Sequence, residues 1–172
     1  MRAVPGTVLP ASRNAQRCRA TEAIVFLGTG PIKRWASVWC LSKLSVGVGS
    51  ELARLSLIRA RSCELLAEGL TGIDADELFL VGLCSVLDTI LDRPMADAIA
   101  ELPLSDEAKA ALLGQPGPMR AILDAVIAYE DGAWEDAVEA VESLGATESR
   151  LPLAQRGALI WAQELSASQI AS

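Results

Sequence analysis

The 172-residue chain contains no histidine. That removes the usual neutral nitrogen ligand for a metal ion and the usual general base near neutral pH. Aromatic side chains are scarce too, with one Tyr, two Phe and four Trp, so the core has to be aliphatic. Four cysteines, Cys18, Cys40, Cys63 and Cys84, stand too far apart for a CxxC motif or a zinc knuckle. Cys63 and Cys84 fall within apolar helical patterns, where cysteine acts as a small hydrophobe. A reduced, cytoplasmic protein is the simplest account.

Long apolar runs are missing as well. The longest, Leu78 to Leu91, includes Asp88 and falls short of the roughly 20 residues that a membrane span needs. The N-terminus lacks the continuous apolar region of a secretory signal, and its Arg-rich, acid-poor start resembles an organelle transit peptide only loosely. Nowhere do apolar and polar residues alternate as in a half-buried strand. The expected fold class is therefore all-α, in one domain with a tail, and hydrophobic residues at 51% suffice for a substantial core.

Charge is present but unevenly spread. The net charge is −7, yet residues 1–34 hold six basic residues against Glu22, leaving −12 for residues 35–172. An acidic body repels phosphate backbones, so no nucleic acid partner is expected. Residues 1–22 have no helical or strand period, and Pro5, Gly6 and Pro10 favour a disordered basic head. A folded domain is expected over 23–168.

Turn and cap signals divide that domain. Gly28-Thr29-Gly30-Pro31 reads as a turn into a helix ending near Ser45. It lacks the third glycine and the βαβ setting of a dinucleotide loop, and the Gly-Lys-Ser/Thr of a P-loop. Ser50 caps a second helix that Gly69 closes. On its wheel Leu52, Leu55, Ile58, Cys63, Leu65 and Leu66 share one arc with the charged Arg59. A third helix, Asp76 to Leu91, is apolar nearly all round, as for a helix packed on every side. Shorter helices follow near 94–101 and from the Ser105 cap to Leu113. Then come amphipathic helices through Met119–Ile127 and Trp134–Leu144, and a last one near 148–165.

Two charges are out of place. Asp88 is the only charge between Leu78 and Leu91, and Arg59 lies in an apolar arc. A buried carboxylate needs a cation, so a structural ion pair between Arg59 and Asp88 is expected. Glu135, Asp136, Glu139 and Glu142 instead form the solvated face of one helix. No catalytic residue is assigned, because the cysteines and serines have no histidine partner and Lys33, Lys43 and Lys109 sit in polar settings. The stretch Tyr129-Glu130-Asp131-Gly132-Ala133-Trp134 has the flavour of a tetratricopeptide turn, but without a second copy it indicates a helical hairpin.

In their order, several segments resemble the HDOD domain family, non-hydrolysing relatives of HD-type phosphohydrolases. They are Ile32-Lys33-Arg34-Trp35, Glu51-Leu52-Ala53-Arg54-Leu55, Ile58-Arg59-Ala60-Arg61, Phe79-Leu80-Val81-Gly82-Leu83, Glu101-Leu102-Pro103-Leu104-Ser105 and Tyr129–Trp134. The likeness, from about Ala23 to Ala167, is to the C-terminal part of bacterial EAL–HDOD proteins. It implies a bundle around a central helix near 76–91. The His-Asp metal pair of HD-type enzymes corresponds to Ser85 and Val86, and an earlier histidine ligand falls near Ala60. The resemblance thus implies no cofactor, no metal and no enzyme activity.

It implies a signal-transduction module working through a protein partner or self-association, with any cyclic dinucleotide handled by a missing EAL domain. Residues 1–21 match neither domain, and an N-terminally truncated chain is expected, with apolar surface left uncovered. Two other readings stay open: a degenerate cyclic-di-GMP phosphodiesterase component, and a tetratricopeptide-like scaffold.

Overall fold

The computed structural model describes residues 48–170. Expectations for the head, the 28–30 turn, the helix to Ser45, Cys18, Cys40, Lys33 and Lys43 lie outside the described residues. Eight α-helices and no strand occur among the described residues, in keeping with the all-α expectation.

The first described helix, α1 (Val48–Ala67), packs against three later helices. It takes in Ser50 rather than being capped by it, and the left-handed Gly69 (φ 85°) follows its end. Helix α2 (Ala75–Cys84) begins at Asp74, whose carboxylate accepts from the Asp76 and Glu77 N–H groups at 2.8 and 3.4 Å. Leu78, Phe79, Val81, Gly82 and Leu83 are buried. The packing against α1 is closest at Gly82, where a Cβ would stand 2.7 Å from the Ala60 backbone.

The single helix expected over 76–91 is broken into α2 and α3 (Leu87–Leu91). Ser85 turns back on the helix, its N–H and its Oγ both donating to the Gly82 carbonyl at 3.3 and 2.8 Å. Val86 then leaves helical geometry at φ −120° and ψ 16°. A hydroxyl competing for a backbone carbonyl ends a helix that the apolar pattern would continue. Burial on every side therefore holds for α2 alone, since α3 has no buried residue.

Helices α4 (Met95–Ile99) and α5 (Asp106–Leu112) lead to α6 (Pro118–Glu130). Ser105 caps α5 through the Ala108 N–H at 3.1 Å, as its sequence position predicts. The Ser105 N–H in turn donates to Glu77, tying that start to α2. Gly132, at φ 77°, reverses the chain into α7 (Trp134–Ser143), and Tyr129 meets Trp134 edge-on at 4.7 Å. Helix α8 (Arg150–Ile170) carries Pro152 in its first turn, where the missing N–H costs nothing.

Helix α8 lies along α1 through small residues. Ala154, Ala158 and Ala162 are buried, and Gly157 lets Leu65 come within 3.0 Å of where a Cβ would be. Ser62, 1% exposed, crosses the seam to donate to Gln155 at 2.7 Å. The main core joins Leu78, Val81, Ile99, Ile122 and Val126 from three helices. A second cluster, Leu57, Ala60, Phe79 and Leu83, is closed by Trp161, edge-on to Phe79 at 6.1 Å. Among the described residues no helix is long and apolar enough to cross a membrane.

Candidate functional site

The polar centre of the bundle grows from Arg59. Its position on α1 faces α2 and α6, and the side chain is only 13% exposed. Such a cation has to meet an acceptor. Its Nε donates to Glu130 Oε2 at 2.6 Å, and its terminal nitrogen reaches Ser85 Oγ at 3.4 Å. One guanidinium thus joins α1, the end of α2 and the end of α6.

Arg59 is therefore buried and paired, but its carboxylate is Glu130 and not the expected Asp88. Asp88 sits half-buried on α3 and accepts from Thr89 at 3.4 Å. Because the chain leaves the α2 axis at Ser85 and Val86, the residue beside the guanidinium is Ser85, from the end of α2. Glu130 was hidden inside the turn motif. Its position continues the α6 stripe of Met119, Leu123 and Val126 at spacings of four, three and four, where a lone carboxylate signals a buried charge.

Burial pushes the Glu130 carboxyl above its ordinary value. The Arg59 hydrogen bond and charge pull it back, and Asp131 adds a small push upward. Its second oxygen, Oε1, is buried without a hydrogen-bond partner. One turn along α1, Cys63 is fully buried, and its thiol is raised to about 12 by burial and the Glu130 charge, against the pull of Arg59. At neutral pH it is a protonated, unreactive thiol.

Ala60, Ser85 and Val86, the positions that the resemblance drawn from the sequence sets against metal ligands, lie at this same crossing. Ala60 is fully buried against Gly82, Val86 is 7% exposed, and Ser85 is hydrogen-bonded to Arg59 and Gly82. Among the described residues no three His, Cys, Asp or Glu side chains are grouped to hold a metal ion. What the arrangement does chemically is clamp: a fixed cation holds three helix segments through charge-assisted hydrogen bonds.

Comparison with known proteins gives two relatives. Over 142 residues the chain is 35% identical to the "Uncharacterized protein YuxH" of Bacillus subtilis, covering 80% of this chain and 35% of that protein. Over 126 residues it is 34% identical to the "Cyclic di-GMP phosphodiesterase CdgJ" of Vibrio cholerae, covering 72% of this chain and 29% of the relative. Both are homologues of this chain. It spans about a third of the length of these curated relatives. No family model matches the chain. No solved structure matches it.

Proposed function

We propose that the chain is a non-catalytic bacterial signalling module of the HDOD kind, acting in the cytoplasm through protein–protein contacts within cyclic-di-GMP signalling. The observation that carries the signalling part of this reading is the similarity, over 72% of the chain, to a protein named a cyclic-di-GMP phosphodiesterase. The matched stretch is 29% of that relative, which leaves the larger part of it for other work. The chemistry of the crossing supports a binding role. Ala60 and Val86 offer no ligand atom, Ser85 is already hydrogen-bonded, and the cation at that place is a guanidinium.

The test has two arms. Purified chain incubated with cyclic-di-GMP and manganese is expected to release no linear product above the buffer control. Turnover that disappears when the chain's own carboxylates are substituted would overturn the non-catalytic part. Overproduction in a bacterium is expected to shift a trait under cyclic-di-GMP control, and an unchanged trait would sink the signalling part. The name of the Vibrio relative favours a second reading, a phosphodiesterase component, which the first arm decides.

A further inference from the structure

Among the described residues the α6–α7 corner combines an exposed indole, a groove and an acidic rim. Trp134 is 57% exposed although its ring rests edge-on against Tyr129. It borders a groove of about 250 Å³ that Tyr129, Val138, Leu151 and Pro152 line. That is slightly under the range of small-molecule sites, and suits one or two inserted side chains. Trp134 also edges two shallower hollows along the outer face of α7. An exposed, anchored Trp at the meeting of hollows is the residue type that dominates binding energy at interfaces.

The rim is acidic. Glu135, Asp136, Glu139 and Glu142 run along α7, and Glu148 closes the groove on the far side, all five exposed. Of the nearby cations, Arg150 is committed to the Leu65 and Glu68 carbonyls, and Arg156 is exposed one turn beyond Pro152. A second copy of this acidic face would be repelled. The complement is a basic segment with an apolar anchor.

The chain itself holds one. Residues 1–47 carry seven basic residues and one acidic, whereas the residues after them carry eight and twenty-one. The apolar run Ile24-Val25-Phe26-Leu27 has Arg17, Arg19 and the single acid Glu22 before it and Lys33 and Arg34 after it, a net excess of three positive charges. The groove lies by the C-terminal end of α1, where Arg150 meets Glu68. It is thus a helix length from Val48, roughly 30 Å for its 20 residues. Twenty-one residues lie between Phe26 and Val48, and with the expected helix to Ser45 rising about 1.5 Å per residue and the rest extended at about 3.3 Å they still reach roughly 45 Å.

We propose that the groove centred on Trp134 receives the basic, Phe26-bearing segment 1–34 of the same chain. Oppositely charged flanks guide it, and an apolar side chain anchors it. The contact goes beyond the signalling role proposed above and does not depend on it.

The test is tryptic cleavage at Arg13, Arg17 and Arg19 of the full-length protein, followed by mass and compared with Trp134→Ala and with the double variant Glu135→Gln/Glu139→Gln. Circular dichroism checks that each variant keeps its helices, and the exposed glutamates give a variant without loss of packing. In low salt the wild-type head is expected to be cut about five-fold more slowly than in either variant. Salt at 0.5 M is expected to remove the difference, since it screens exposed charges within a few ångströms. Dilution should leave the protection unchanged, because a tethered segment is held at an effective concentration that dilution does not alter. Equal cleavage in all three proteins would overturn the proposal. So would protection that fades on dilution, which would assign the groove to a second copy.

Discussion

The α1–α2 crossing and the α6–α7 corner treat charge and aromatic surface in opposite ways. At the crossing one cation and one carboxylate are sunk among aliphatic side chains, and Gly82 brings two helix backbones together with no room for a methyl group. At the corner five carboxylates stay in water and an indole is left uncovered. The first arrangement is costly to disturb because each group has one place to be. The second is cheap to alter, so it can be spent on binding. Only three residues, Asp131 to Ala133, separate Glu130 of the one from Trp134 of the other.

Substitution at the crossing is expected to have the largest effect. Glu130→Ala leaves Arg59 buried without its carboxylate and should cost about 3–5 kcal/mol, read from the urea midpoint. The double variant Arg59→Met/Glu130→Leu should recover most of that loss, because an apolar pair of similar volume carries no desolvation cost. A double variant as weak as the single one would mean that the pair contributes more than it costs to bury.

Gly82→Ala comes next, at about 1–3 kcal/mol or somewhat more, since the new methyl group meets backbone rather than a movable side chain. An unchanged thermal midpoint would show that the crossing can open freely. Ser62→Ala, which strips Gln155 of its partner across the α1–α8 seam, should cost about 1 kcal/mol. Glu139→Gln on α7 should stay within about 0.5 kcal/mol of wild type, as befits a solvated rim.

Acidity sharpens the contrast further. Because the folded Glu130 carboxyl titrates above its ordinary 4.5, the native state holds that proton more tightly than the unfolded chain does. Its contribution is fully present below pH 4.5 and is lost as pH rises through the raised value. The stability of wild type minus that of Glu130→Gln should therefore fall with rising pH across that window. A difference that rose instead would mean that the Arg59 pairing outweighs burial.

Much of this was legible in the residue order. The Ser105 cap and the Gly69 and Gly132 turns declare themselves locally, because caps and left-handed turns depend on a few neighbours, whereas Pro118 reads as the end of a loop and turns out to start α6. The break at Ser85 was not legible. An apolar pattern continues through it, and what ends α2 is a hydroxyl drawn to its own helix carbonyl. Arg59 was identifiable as a misplaced cation, but its partner lies 71 positions away, and a wheel drawn for one helix has no view of the others. Asp88 was the nearest conspicuous acid in sequence, yet it falls on α3, after the chain has turned.

Ser85 serves two masters: it gives its proton to the Gly82 carbonyl and receives one from the guanidinium of Arg59. The stopping point of one helix is thereby written partly on another, 26 positions upstream. A lineage that swapped position 85 for a short apolar side chain would lose both bonds at once, and the rod would be free to grow into the stretch that now bends. Length of a helix here is a negotiated property, held jointly by two distant codons.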